Sequence, residues 1–337
     1  MRTPTWSMNI MMEFEFRKHL EGRGLSAETI DFSVAAVEEL EEYLGKIGTT
    51  FDIASLDVLK DYVSSLMGAG QNSLERLVAI ARYCSLARKN DYLLYLVSLF
   101  GARNVLPDIG ERLAMIADNE TRNRVFEGFE LPPLGSSQED YPRLTKMIMD
   151  RMETELPAET CRKVLTWNYH KVPTETFKEK KERFEKANNI DDYLRDEHKR
   201  FVEELEGYMK EGRIWYEQEI TPEVLEFVKS NQEICTGVRH GDRIYVTKIP
   251  FAPKQYLMEK NPAMKRYYAC HCQLARTAIR DGEPRISRNF CYCSAGYEKL
   301  RFDAIFGEPV EVEVLESVLD GDERCRFANK IPKGKMK

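Results

Sequence analysis

Residues 310–331, VEVEVLESVLDGDERCRFANKI, carry the clearest strand pattern in the chain. Valine alternates with glutamate over the first five positions, as a strand with one buried and one exposed face requires. An Asp-Gly-Asp turn signal follows at 320–322, and Cys325, Phe327 and Ile331 then return on alternate positions. The segment therefore predicts an antiparallel β-hairpin.

A second hairpin is predicted upstream of this one. Apolar residues on both sides of a His-Gly-Asp turn at 240–242 indicate it, with alternating apolar positions from Ile244 onward. Between the hairpins, the chain from about Asn261 and residues 294–306 have the pattern of helices, the second ended by Gly307. This order predicts an α+β domain in which helices cover one face of antiparallel hairpins.

The first hundred residues carry helical periodicity instead. Apolar residues recur at steps of three and four over 30–44, 56–66 and 74–84, and a more apolar segment runs from Tyr92 to Phe100. Short amphipathic helices with brief connections predict a bundle. The predicted domains are a helical bundle at 1–105, a helical connector at 106–165 and an α+β ligand- or metal-binding domain at 166–337.

Composition narrows the classes of protein that this chain can represent. Its 337 residues are 42% hydrophobic, enough for a core in each of two domains, and the net charge of -6 argues against a dedicated nucleic-acid binder. No apolar run is long enough to span a membrane, and Met1–Trp6 lacks the apolar stretch of a secretory signal. We therefore expect a cytoplasmic protein with reduced thiols and with neither nucleic-acid nor membrane partners.

Four cysteines form two matched pairs, Cys270 with Cys272 and Cys291 with Cys293. Such pairs predict a metal or thiol site, and His271, between the first two thiols, is a further candidate ligand. One intervening residue is fewer than in the common zinc knuckle, so packing, a reactive thiol and a reversible disulfide remain alternatives. Soft thiolates favour zinc over magnesium or calcium, and iron–sulfur clusters usually have other spacings.

Cys84 and Cys161 are predicted to be core residues. Cys84 follows Leu77 on the same face of a predicted helix, and Cys161 stands alone in a polar helical stretch. An unpaired buried cysteine commonly behaves as a small hydrophobic residue.

Three motifs near the C-terminus, CSAGY at 293–297, FGEPV at 306–310 and GDERCRF at 321–327, resemble the 4-vinyl reductase type of small-molecule-binding domain. They are also similar to the L-2-amino-thiazoline-4-carboxylic acid hydrolase family, which shares the terminal Gly-Asp-x-x-Cys-Arg-Phe pattern. The resemblance implies a small-molecule pocket, and Tyr297 and Arg326 are the expected ligand-binding residues.

Sensor members of the vinyl reductase type bind zinc, which the resemblance implies here as well. Their cysteine before the Gly-Tyr helix corresponds to Cys291 or Cys293, and their Cys-Arg-Phe cysteine corresponds to Cys325. Val314 and Ser317 stand where the family has a carboxylate and a further thiol, so other ligands must come from the upstream cysteine pair. The predicted metal ligands, with zinc as the metal, are Cys270, Cys272, Cys291, Cys293 and Cys325.

The N-terminal segment has a resemblance of its own. RGLSAETI at 23–30, with residues 43–44, 59–62 and 76–88, is similar to the core-binding domain of phage-type integrases. The rest of the chain lacks that family's catalytic arginines, His-x-x-Arg motif and nucleophilic tyrosine, which excludes a tyrosine recombinase. Acidic residues outnumber basic ones in this segment, so we expect packing or homodimer formation rather than DNA binding.

Three functions are compatible with these patterns. The first is the binding or sensing of a small molecule, with a zinc-binding cysteine site in the C-terminal domain. The second is a hydrolase of the thiazoline-carboxylate type, in which Arg324, Arg326 or His271 lowers the pKa of a nucleophilic thiol and Glu316 or Asp322 carries the proton. The third is an interaction module that acts through the helical domain.

Overall fold

The computed structural model describes residues 10–335, so the Met1–Trp6 prediction concerns residues outside this range. Contacts divide the chain into two compact units. The first contains the chain up to Arg103 together with Leu131–Ser137, and the second contains Asn104–Glu130 and the chain from Gln138 onward. The segment predicted as a connector, 106–165, is therefore divided between the two units.

The first unit is a helical bundle. Ser26 and Ser73 begin two of its helices, since each side chain accepts a hydrogen bond from a backbone N–H three residues later. Leu40, Leu59 and Tyr92 are almost completely buried in its core. The helical N-terminal part of the prediction is thus confirmed. Its helices are α1 (Ile10–Glu21), α2 (Ala27–Lys46), α3 (Leu56–Gly68), α4 (Leu74–Leu86) and α5 (Asn90–Phe100).

The second unit combines helices with one sheet. The helices are α6 (Val105–Ile116), α7 (Asn119–Val125), α8 (Tyr141–Glu155), α9 (Ala158–Leu165), α10 (Lys178–Lys186), α11 (Ile190–Lys210), α12 (Pro222–Lys229), α13 (Pro253–Met258), α14 (Pro262–Ala269), α15 (Arg276–Asp281) and α16 (Tyr292–Phe306). The strands are β1 (Val238–His240), β2 (Arg243–Thr247), β3 (Val312–Glu316) and β4 (Arg326–Lys330).

The sheet has the order β1-β2-β4-β3, with every neighbouring pair antiparallel. Val246 and Val314 both pair with Phe327, which places the three apolar side chains on one face. Phe302 and Phe306 of α16 pack in the same cluster as Val246 and thereby cover this face. Both hairpins and the α+β class are confirmed, although β1 is shorter than the sequence suggests.

Helix α16 approaches another segment of the chain very closely at Gly296. A Cβ atom at this position would lie 2.5 Å from the backbone nitrogen and 2.6 Å from the carbonyl oxygen of Trp167. The helix ends at Gly307, which has the left-handed conformation (φ 74°) expected at a helix C-terminus. Among helices of residues 10–335, none combines the length and the apolar character needed to cross a membrane.

Candidate functional site

The five cysteines predicted as metal ligands lie at or near the ends of separate elements. Cys270 directly follows α14, and Cys272 lies in the loop to α15. Cys291 ends a 3₁₀ turn that leads into α16, and Cys293 lies in the first turn of that helix. Cys325 directly precedes β4.

Three of these cysteines pack together, since Cys270 lies in a hydrophobic cluster against which Cys272 and Cys325 pack. Burial raises the pKa of Cys272 well above 9.0, and Cys270, Cys293 and Cys291 raise it further. Burial likewise raises the pKa of Cys291, with contributions from Cys325, Cys270 and Cys293. Each thiolate would therefore form next to others, which disfavours ionisation of the group without a compensating cation.

Ser317 belongs to the same cluster of side chains. Its hydroxyl oxygen lies 2.9 Å from the Cys291 sulfur, and its side chain is completely buried. Its backbone N–H donates to the Asp322 carboxylate at 2.7 Å, so Asp322 completes the turn between β3 and β4. A serine thus contacts Cys291 directly after the end of β3.

The donor chemistry of this cluster fits a thiophilic metal. Five thiols can supply the four soft ligands of a closed tetrahedral zinc site. The His271 Nε2–H donates to the Ile249 carbonyl oxygen at 2.6 Å, which fixes the tautomer and leaves Nδ1 as the possible ligand atom. Among residues 10–335, no three His, Cys, Asp or Glu side chains stand in metal-binding geometry.

Cys84 and Cys161 differ from this group. Both are free thiols with no exposed surface, and each packs within a helix of its own unit. Burial raises the pKa of Cys161 to about 11. The prediction that these two are core residues is confirmed.

Lys248 occupies a central position between the thiols and α16. Its backbone N–H donates to the Cys325 carbonyl oxygen at 3.0 Å, which ties the end of β2 to the start of β4. Its ammonium group donates to the Ser294 hydroxyl at 3.1 Å and lies 3.9 Å from the Glu298 carboxylate. Burial lowers the pKa of Lys248, but Glu298 and nearby thiols outweigh this effect and raise it.

Tyr297, one of the two predicted ligand-binding residues, lies beside this lysine. The Lys248 ammonium is 5.7 Å from the centre of its ring, and His170 contacts the ring edge-on at 5.2 Å. Tyr297 is 40% exposed, so the ring has room for a further contact. Burial lowers the pKa of His170, and Lys248 lowers it further.

Arg326, the other predicted ligand-binding residue, contacts a different set of groups. Its guanidinium donates two hydrogen bonds to Glu233, at 2.9 and 2.6 Å, and lies 4.9 Å from the ring centre of Tyr245. The opposite sheet face, away from α16, carries this ion pair, because Arg326 and Phe327 are successive strand residues.

A cavity of about 390 Å³ lies next to Cys325 and Lys248. Cys325 and Thr247 line it at the strand ends, and Phe227 and Tyr256 supply aromatic walls. Its volume is that of a small-molecule site. The cavity also contains the ion pair of Glu316 and Arg324, whose two hydrogen bonds measure 2.8 and 2.9 Å.

This ion pair makes stability depend on pH. The hydrogen bond from Arg324 lowers the pKa of Glu316 below its ordinary 4.5, so the stabilisation is fully present above that pH and is lost as pH falls through the lowered value. We expect Glu316→Gln to cost roughly 1 kcal/mol of unfolding free energy at neutral pH and almost nothing in acid, as urea titrations at both pH values would measure.

Glu311→Gln is the matched control for this prediction. Glu311 contacts Lys330, but its side chain is 81% exposed, so the substitution should change stability little at either pH. Equal losses for Glu316→Gln at neutral and acid pH would contradict the assignment of the effect to the charged carboxylate.

The groups expected to activate a catalytic thiol are engaged elsewhere. Arg324 binds Glu316, and Arg326 binds Glu233. Burial lowers the pKa of His271 well below 6.5, and Lys248 lowers it further, so its ring is neutral. Burial raises the pKa of Cys325 to about 12. The activated nucleophile of the hydrolase hypothesis therefore has no cationic partner among the three predicted residues.

Several polar residues of this region have no signal in the sequence. Lys248, Glu217, His170 and Arg276 belong to four separate segments, and none lies in a recognisable motif. Burial raises the pKa of Glu217, while Arg276 and Lys248 partly offset the rise. Lys248, Glu217 and His170 have shifted pKa values, which are often found at functional sites.

Comparison with known proteins gives one match. A family model described as a family of unknown function (DUF6144) matches residues 251–336. No curated protein and no solved structure matches the chain. The matched range includes all five clustered cysteines and Arg276 but neither Lys248 nor Glu217, so the function has to be inferred from the site itself.

Proposed function

We propose that the second unit binds a small molecule next to a zinc ion held by four of the five clustered cysteines. The observation that supports this most directly is the packing of Cys270, Cys272 and Cys325 around one hydrophobic cluster. Cysteine groups in a reducing compartment are more often metal-binding or catalytic than disulfide-forming.

The physical case for zinc rests on charge. Buried thiols that raise each other's pKa cannot ionise together unless a cation replaces the lost solvation. A bound zinc ion would supply that charge and favour the deprotonated form of its ligands, and the thiolates would hold the segments that carry them together. The residues that would hold it are Cys270, Cys272, Cys291, Cys293 and Cys325.

The case for a small ligand rests on the surroundings of Cys325. The cavity of about 390 Å³ is lined by both Cys325 and Lys248. Tyr297, whose ring centre lies 5.7 Å from the Lys248 ammonium, is partly exposed. A ligand at either place would lie close to the metal centre, which suits a sensor in which ligand and metal respond to each other.

Metal analysis of purified protein tests the zinc part of the proposal. We expect close to one zinc per chain when the protein is prepared without added metal, and a loss of most of this zinc in Cys272→Ser or Cys291→Ser. Cys84→Ser is the control and should retain the wild-type content, because it removes a fully buried thiol of the first unit.

Low metal content in the wild type would contradict the zinc assignment. Wild-type protein that holds far less than one metal per chain, with all eight cysteines titrating as free thiols after unfolding, would refute the zinc assignment. The same titration would reveal a disulfide as two missing thiols.

A further inference from the structure

Arg276 is a buried cation with unused hydrogen-bonding groups. The residue is only 5% exposed, and its guanidinium carbon lies 4.1 Å from the ring centre of Phe251 and 4.4 Å from that of Tyr267. Its Nε atom is fully enclosed without a partner, and no hydrogen bond or ion pair joins its guanidinium to the residues that the structure describes.

Stacking on the two aromatic rings does not satisfy the hydrogen-bond donors of the Arg276 guanidinium. Two rings interact with the faces of the planar guanidinium, whereas its five N–H donors point outward in the plane. Buried polar groups in proteins nearly always have hydrogen-bond partners, and the cost of leaving a charged one without them is several kcal/mol. The edge of Arg276 is therefore prepared for an acceptor from outside the chain.

The position and charge of Arg276 indicate which acceptor fits. Tyr267, one of the two stacked rings, packs against the same hydrophobic cluster as Cys272 and Cys325, so Arg276 lies beside the predicted ligand region. Among the described residues no carboxylate pairs with its guanidinium. A buried cation without an internal counter-ion favours an anionic acceptor.

We propose that Arg276 binds an oxyanion group of the small ligand, a carboxylate or a phosphate. A guanidinium edge binds either group through two parallel hydrogen bonds, and burial strengthens them. This inference rests on the proposed ligand-binding function and specifies the chemistry of the ligand.

The test uses full-length protein with benzoate, inorganic phosphate and the neutral analogue benzamide at constant ionic strength. We expect benzoate or phosphate, but not benzamide, to raise the melting temperature of the wild type, and the responding anion identifies the oxyanion group. Arg276→Gln should weaken binding of that anion at least tenfold in calorimetric titration, which corresponds to about 1.4 kcal/mol.

Arg280→Gln is the matched control, since Arg280 lies on the same helix but already pairs with Asp281 and Glu139. It should bind the anion as the wild type does. Arg276→Lys, which keeps the charge without the planar edge, should also bind more weakly than the wild type, and it provides the comparison if Arg276→Gln does not fold.

Zinc content measured in the same samples separates this inference from the function on which it rests. Wild-type protein that contains zinc but responds to neither anion would overturn the oxyanion site alone. Equal anion affinity in the wild type and either Arg276 variant would do the same. Loss of zinc from Arg276→Gln without any anion binding by the wild type would assign Arg276 to the thiolates instead and also overturn the proposal.

Discussion

Cys272→Ser is expected to abolish zinc binding and to remove most of the folding stability of the second unit. Cys272 packs against the same hydrophobic cluster as Cys325 and Cys270, so its loss removes a ligand from the centre of the proposed site. Structural zinc contributes on the order of 10 kcal/mol in small peptides, which is comparable with the whole stability of a typical domain. Near-ultraviolet circular dichroism during thermal unfolding would measure the loss.

Chelation of the wild type should reproduce this effect without a mutation. Protein treated with a strong chelator and dialysed should lose the same cooperative transition, and added zinc should restore it. Cys84→Ser again serves as the control, because replacing one buried thiol by a hydroxyl costs only about 1–3 kcal/mol and leaves the metal in place. Identical melting of chelated and untreated wild type would show that metal does not stabilise this unit.

Gly296→Ala is expected to have the second largest effect on stability. The new methyl group would lie 2.5 and 2.6 Å from backbone atoms of Trp167, and a backbone cannot move aside as a flexible side chain can. We expect a loss of about 1–3 kcal/mol or more, together with displacement of the segment that carries His170. Chemical denaturation of the variant and the wild type measures the difference.

Gly207→Ala is the control, and it should change the free energy of unfolding in the opposite direction. Gly207 lies within α11, and a Cβ atom there meets nothing within 4 Å. Alanine is a better helix former than glycine by about 1 kcal/mol, so this variant should be slightly more stable than the wild type. A Gly296→Ala variant as stable as Gly207→Ala would mean that the contact with Trp167 is not close in solution.

The elements of the fold could be predicted largely from the sequence. Alternation over residues 310–314 and 325–331 predicts strands, and the structure contains β3 and β4 there, because which face a strand residue occupies depends on its own position in the pleat. The helices of the first unit follow from a period of three to four residues for the same local reason. The buried state of Cys84 follows from its place on one such helical face.

Only part of the candidate site could be predicted from the sequence. The two cysteine pairs are visible as a pattern, and the motif around Cys325 connects them to a third segment through a family resemblance. The role of Ser317 could be anticipated only as a departure from that family. Its contact with Cys291 depends on how the end of β3 meets the start of α16.

The chain alone thus determined which segments are helices and strands and which cysteines are grouped, whereas the tertiary structure decided which charges are buried and what surrounds them. In the sequence, Lys248 has no feature beyond its place after a strand. Its contacts with Ser294 and Glu298 of α16 exist only in the tertiary structure. Arg276 becomes a buried cation only because Phe251 and Tyr267 stack on it. Periodicity is set by neighbours a few residues away, but the burial of a charge depends on the packing of distant segments.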